Sequence, residues 1–147
     1  MFGSVRQTGL IVFFMVLLAT STLWPRGATA EGALALGVTG DIAKDGYSIG
    51  ITVSSKSEQD ARNSALNWCK THGAKATEDK CQIVTTFHNQ CAAEAHDPKP
   101  GTPGAGWAIA QDKDTAEKMA MTTCFATAGK DRLDQCKIVA SVCDTSP

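Results

Sequence analysis

Residues 57–84 read SEQDARNSALNWCKTHGAKATEDKCQIV, and residues 112–139 read DKDTAEKMAMTTCFATAGKDRLDQCKIV. Each stretch holds two cysteines with eleven residues between them. A shift of 55 positions superimposes the two stretches and aligns the cysteines, the alanines before them and the apolar residues after them. The aligned pairs are Cys69 with Cys124, Cys81 with Cys136, Ala61 with Ala116, Ala65 with Ala120, Ile83 with Ile138 and Val84 with Val139. We predict a duplicated unit with copies at residues 31–90 and 91–147.

A small residue recurs every fourth position before the first cysteine of each pair, which predicts the inward stripe of a helix. Ser57 and Asp112 occupy the expected N-cap positions, and Gly73 and Gly129 the expected helix ends. Alanines in such a stripe allow a helix to pack closely on a sheet. The cysteine at the end of the stripe can then reach the start of the next strand.

Apolar or alternating segments predict three strands in each copy. They lie at residues 33–36, 47–54 and 82–88, and at residues 91–95, 106–110 and 136–143. The second strands are matched separately, with residues 46–50 (GYSIG) corresponding to residues 106–110 (GWAIA). Each helix joins two strands, which favours a right-handed β-α-β connection. The predicted fold class is α+β: two tandem ββαβ pseudo-repeats form one mixed sheet with both helices on one face, stapled by disulfides.

The first thirty residues have the parts of a secretory signal peptide. Arg6 is followed by an apolar run at residues 10–19, and Ala28-Thr29-Ala30 fits a cleavage site. This apolar segment is too short to span a membrane, which takes about 20 residues. We predict a signal peptide at residues 1–30 and a single periplasmic or secreted domain at residues 31–147, with no membrane association after cleavage.

The leader carries two of the 14 basic residues and none of the 15 acidic ones, which leaves a net charge of −3 on residues 31–147. This balance argues against nucleic-acid binding, which needs a basic face. All six cysteines follow the leader, and an even number in a small exported chain favours three disulfides. If each copy closes on itself, the pairs are Cys69–Cys81 and Cys124–Cys136, and Cys91–Cys143 remains to link the copies.

The order and spacing of these motifs resemble the bacterial domain-of-unknown-function family numbered 4189. The motifs are G-A-L-A-L at residues 32–36, S-x-x-x-A-x-x-x-A-L-x-x-C at residues 57–69 and C-K-I-V-A-S-V-C at residues 136–143. The resemblance implies an exported bacterial α+β domain with paired cysteines, and it supplies no catalytic residues. Family members commonly have Ala or Leu in place of Glu94 and a shorter, Gly-rich loop in place of the proline-containing one. These departures fit either a binding surface particular to this chain or drift.

No pattern in the sequence predicts catalytic residues or a cofactor. Serines occur without a Gly-x-Ser-x-Gly elbow, and an even number of cysteines leaves no free thiol. His88, His96 and Asp97 are candidate ligands for Zn²⁺ or Cu²⁺, although their spacing is not that of a known metal motif. The alternative function is therefore a small secreted hydrolase or metal-binding protein that uses His88 or His96.

Loops at matched positions, residues 38–45 and 97–104, are expected to lie near each other and to carry any partner surface. Their candidate binding residues are Asp41, Asp45, Pro98, Lys99, Pro100 and Pro103. The aromatic residues are interpreted as core, namely Tyr47, Trp68, Phe87, Trp107 and Phe125. The sequence favours a non-catalytic protein-binding module, inhibitor-like or directed at the cell envelope, with an unknown protein or envelope component as partner. A structural envelope protein whose disulfides serve durability alone is a third hypothesis.

Overall fold

The computed structural model describes residues 31–144, which form two ββαβ units. The first unit contains β1 (Glu31–Gly37), the short helix α1 (Ile42–Asp45), β2 (Ser48–Ser55), α2 (Glu58–His72) and β3 (Gln82–Phe87). The second contains β4 (Cys91–His96), β5 (Ala105–Ala110), α3 (Lys113–Ala128) and β6 (Lys137–Cys143). The duplicated α+β fold is confirmed. The short helix α1 and two 3₁₀ helices (Glu78–Lys80 and Lys130–Gln135) lie outside the predicted helices and strands. The predicted signal peptide lies outside the described residues.

Both long helices begin at the side-chain caps that the sequence indicates. The Ser57 hydroxyl accepts a hydrogen bond from the amide of Asp60 at 3.1 Å, and the Asp112 carboxylate accepts one from the amide of Thr115 at 2.9 Å. Such caps satisfy amides that have no partner inside the helix. The predicted stripes, Ala61, Ala65 and Cys69 in α2 and Ala116, Ala120 and Cys124 in α3, are fully buried against their own sheets.

The two units do not share a sheet. In the first sheet β1 lies between β2 and β3, in the second β4 lies between β5 and β6, and all neighbouring strands are antiparallel. The prediction of one mixed sheet with both helices on one face is therefore wrong. Each helix does join two strands that are parallel to each other, but the first strand of the unit is inserted between them.

A glycine in the second strand of each unit allows the helix to approach the backbone of the strand. A Cβ atom on Gly50 would collide with the carbonyl oxygen of Ala65, and one on Gly106 would collide with the carbonyl oxygen of Ala120. The glycines therefore occupy equivalent places beneath α2 and α3. Any larger residue there would push the helix away from its sheet.

Strand register corrects the predicted alignment of the copies. Gly50 pairs with Ala35 of β1, and Gly106 pairs with Ala95 of β4. Gly106 is thus the equivalent of Gly50, and the predicted match of residues 46–50 with 106–110 is wrong. The cause is the longer connection between β1 and β2, which displaces the two second strands relative to one another.

The three disulfides have the predicted pairing, but one of them has a different role. Cys69–Cys81 and Cys124–Cys136 each pin a helix to the segment before the following strand, with Cα atoms 6.1 Å apart in both. Cys91–Cys143 joins opposed residues of β4 and β6, which are neighbours in the second sheet. It therefore closes the second unit and does not link the copies.

The units meet through the sheet faces that carry no helix. Leu34 and Ala92 lie on those faces, since side chains alternate along a strand, and they are 1% and 0% exposed. At one end, the buried carboxylate of Asp144 accepts hydrogen bonds from the amides of Ser54 at 3.1 Å and Asn89 at 3.2 Å. Within residues 31–144, no helix combines the length and apolar character that crossing a bilayer requires.

Candidate functional site

A cavity of about 480 Å³ opens at the end of the molecule where loops of the two units meet. The first unit contributes residues around the start of β2 and the end of α2, and the second contributes the end of β4 and the loop after it. The two predicted binding loops therefore lie near each other, as expected from the duplication. Pro98, Lys99 and Pro100 line the cavity.

The other predicted loop residues have different positions. The Asp41 carboxylate caps α1 by accepting from the amide of Lys44 at 3.1 Å, and Asp45 accepts from the hydroxyl of Thr39 at 2.7 Å. These two carboxylates hold the first loop together, and they are not among the residues that line the cavity. Pro103 lies in the second loop but likewise does not line it.

A chain of three polar side chains crosses from one unit to the other in the wall of the cavity. The hydroxyl of Tyr47, just before β2, donates to Oε1 of Glu94 at 2.5 Å and lies 2.9 Å from Nδ1 of His96. Because its single proton goes to the carboxylate, this hydroxyl must accept a hydrogen bond from Nδ1–H of His96. In the neutral imidazole, Nε2 is then the basic nitrogen.

The two polar residues of β4 replace an apolar pair of β1. With Ala35 equivalent to Ala95, Glu94 takes the place of Leu34, and His96 that of Leu36. The sequence indicates His96 as a candidate residue, but it predicts Tyr47 to lie in the core and indicates no partner for Glu94. A correct alignment of the copies would have exposed the signal, namely a carboxylate at a strand position that is apolar in the first unit.

The environment of Tyr47 keeps its phenol protonated. Burial, together with the charge of the adjacent Glu94 carboxylate and the hydrogen bond to it, raises the pKa of Tyr47 well above its ordinary value. The residue therefore acts as a fixed hydrogen-bond donor. It also contacts the His96 ring edge-on, with ring centroids 6.3 Å apart.

An aromatic stack forms another part of the cavity wall. Trp68 and His72, one turn apart on α2, stack with ring centroids 3.7 Å apart and an interplanar angle of 10°. Trp68 is 53% exposed, so the prediction that it belongs to the core is wrong. Phe125 is also exposed, on α3, whereas Phe87 is buried as predicted.

The second loop is anchored by an ion pair. Both carboxylate oxygens of the buried Asp97 receive guanidinium hydrogen bonds from Arg132, and one also accepts from the amide of Lys99 at 2.9 Å. Hydrogen bonding to Arg132 holds the pKa of Asp97 at about 2. The ion pair with Arg132 therefore holds the start of the loop at residues 97–104 in place.

The predicted metal ligands are not brought together. Asp97 binds Arg132, His96 contacts Tyr47, and Nδ1 of His88 lies 3.6 Å from the carboxylate of Asp144 at the opposite end of β4. In the part of the chain that the structure describes, no group of three or more His, Cys, Asp or Glu side chains is arranged to hold a metal ion.

A known protein family matches almost all of the described residues. Residues 32–143 match the family described as Domain of unknown function (DUF4189). The chain belongs to the DUF4189 family. None of the curated proteins and none of the solved structures matches it. Membership confirms the resemblance that the cysteine and alanine motifs indicate.

The cavity of this DUF4189 protein offers groups suited to recognition. They are a mostly buried carboxylate (Glu94), an imidazole of fixed tautomer (His96) and an exposed indole (Trp68). Thr102 contributes an aliphatic hydroxyl, which donates to the carbonyl oxygen of Lys99 at 2.8 Å. That hydrogen bond ties the hydroxyl to the loop.

Proposed function

We propose that this DUF4189 protein is an exported, non-catalytic module that binds a protein partner through the cavity between its two units. The observation that carries the proposal is the exposed Trp68, which shares the cavity with the mostly buried Glu94 carboxylate. Tryptophan is enriched at the centres of protein interfaces and among the residues that contribute most to binding.

The rigidity of the surface supports binding. Asp97 fixes one end of the proline-containing loop, and the Cys69–Cys81 disulfide restrains α2, which carries Trp68. A loop and a helix held in place before binding lose little conformational entropy when a partner docks. The scaffold therefore favours recognition by a preformed surface.

The sulfur chemistry and the leader support an exported location. Three disulfides and an N-terminal segment with the features of a signal peptide support a periplasmic or secreted protein. The partner would then be an envelope component or an exported hydrolase that the module inhibits.

The test is affinity capture from the bacterial cell-envelope fraction with oxidised protein spanning residues 31–147. Trp68→Ala and Phe125→Ala each remove an exposed aromatic side chain, but only Trp68 lines the cavity. We expect the partner to be lost with Trp68→Ala and retained with Phe125→Ala. Equal capture of the partner by wild type and Trp68→Ala would refute the proposal, and so would substrate turnover by the purified protein.

A second candidate is a hydrolase with His96 as general base, favoured by the Tyr47–Glu94–His96 hydrogen bonds that fix the tautomer of the imidazole. Assays with ester, peptide and glycoside substrates test it. Any activity found must disappear in His96→Ala and persist in His88→Ala, whose side chain lies at the other end of β4.

A further inference from the structure

One carboxylate of the cavity, that of Glu94, has a histidine beside it but no lysine or arginine partner among residues 31–144. The side chain of Glu94 is 12% exposed, and its contacts with Tyr47 and His96 are both made through Oε1. Within residues 31–144, no lysine or arginine pairs with Glu94, and no protein group donates a hydrogen bond to Oε2. By contrast, Asp97, the other carboxylate that lines the cavity, is paired with Arg132.

A carboxylate with one oxygen free of protein donors favours a cation that enters the cavity, because opposite charges attract more strongly where the surrounding side chains exclude water. The Tyr47 hydroxyl supplies only one neutral hydrogen bond, to the other oxygen. A ligand with a positive charge and N–H donors would satisfy Oε2 directly through a charge-assisted hydrogen bond.

The walls of the cavity suit the rest of such a ligand. The indole of Trp68 stacks on His72 and stays 53% exposed, and aromatic faces attract ammonium and guanidinium groups. Pro98 and Pro100 offer apolar surface to an alkyl chain. Lys99 also lines the cavity, but its side chain is solvated, so water and salt screen its charge.

We propose that the cavity binds the cationic side chain of a lysine or arginine of the partner. The charged group contacts Oε2 of Glu94, and the alkyl stem lies against Trp68 and the prolines. This inference rests on the proposed function and specifies the chemistry of the partner at that site. A neutral saccharide would also stack on an indole, but its binding would not depend on the charge of Glu94.

The test is a titration of oxidised protein, residues 31–147, with end-blocked Ala-Ala-X-Ala-Ala peptides in which X is lysine, arginine, norleucine or citrulline. The Trp68 indole N–H resonance reports occupancy of the cavity. We expect saturable binding of the lysine or arginine peptide. The matching neutral peptide, with norleucine or citrulline, should bind with an affinity lower by about tenfold or more, because it lacks one hydrogen bond between charged groups.

Two variants with the same change in net charge make the test specific. Glu94→Gln keeps a hydrogen-bond acceptor for the Tyr47 hydroxyl. It should lower the affinity for the basic peptides by about tenfold or more. Asp79→Asn alters an exposed carboxylate outside the cavity and should leave their affinity unchanged. Circular dichroism and thermal unfolding show whether both variants fold.

Three outcomes would overturn the inference: equal affinity for basic and neutral peptides, undiminished affinity in Glu94→Gln, or no binding of the basic peptides. A chito-oligosaccharide that shifts the Trp68 resonance equally in wild type and Glu94→Gln would assign the cavity to a neutral sugar instead. The basic peptides could fail these tests while wild type still captures the partner and Trp68→Ala does not. The proposed function would then stand, and only the inferred ligand chemistry would be wrong.

Discussion

At the scale of single residues, Tyr47 is the chain's one tyrosine, so its ionisation can be followed without interference from other phenols. Burial and the Glu94 carboxylate raise its pKa. We expect the ultraviolet absorbance of the folded protein to show phenolate only well above pH 10, the ordinary tyrosine value. Glu94→Gln removes the charge but not the burial, so the pKa should fall and remain raised. Ionisation of folded wild type near pH 10 would contradict the contact.

The same shift gives a direction for alkaline stability. The unfolded phenol loses its proton near pH 10, whereas the folded one keeps it. Above about pH 10 the unfolded state therefore binds fewer protons, and the free energy of unfolding falls as the pH rises. The contribution of Tyr47 to stability is complete below that pH.

Asp97 has the opposite dependence. Arg132 holds its folded pKa at about 2, below the ordinary 3.8, so its stabilising effect is present at neutral pH and is lost as the pH falls from about 4 towards 2. Asp97→Asn should lower the urea midpoint at neutral pH, and its difference from wild type should shrink across that acid range. Asp79→Asn, at an exposed site, is the control. A difference that stays constant down to pH 2 would exclude the ion pair as its source.

At the scale of elements, the contact between helix and strand depends on Gly50 and Gly106. An added Cβ meets a helix carbonyl, which cannot move without displacing α2 or α3. Gly50→Ala and Gly106→Ala should each lower the free energy of unfolding by about 2 kcal/mol or more, in the range measured for overpacked cores. Ser64→Ala, on the exposed face of α2, should have little effect. Chemical denaturation measures the free energy of unfolding of all three variants. An unchanged value for Gly50→Ala would show that α2 does not lie so close to β2.

The repeat disulfides should act on one unit each. Replacing Cys69 and Cys81 by alanine should cost on the order of 3 kcal/mol, the chain-entropy value for a loop of this length. Amide exchange should accelerate in α2 and stay slow in α3, and replacing Cys124 and Cys136 should do the reverse. Equal acceleration in both helices would show that the units unfold together.

The sequence predicts the helices well and the sheets less well for a physical reason. Caps, small-residue stripes and terminal glycines act within one helix, so Ser57 and Gly73 mark α2 without any knowledge of the fold. Strand order depends on pairing between distant segments. No local sequence pattern indicates whether β1 lies between β2 and β3, the strands that α2 connects, or beside them. The sequence alone therefore favours one mixed sheet.

At the scale of the whole molecule, duplication alone places the loops at residues 38–45 and 97–104 at one end. It does not predict the chain from Tyr47 through Glu94 to His96, because that chain forms only when two sheets meet face to face. Different loop lengths also concealed that Glu94 occupies the place of Leu34. Where the two copies differ, at the cavity, comparison of the copies was least able to identify the site.

The most direct test of the central claim, that the cavity between the units is the partner surface, is amide hydrogen exchange measured with and without the captured partner. We expect slowed exchange at residues 42–49, 68–74 and 94–104, which surround the cavity. Slowed exchange confined to the exposed face of α3 and β6, around Phe125 and Val139, with no change at the cavity, would contradict it.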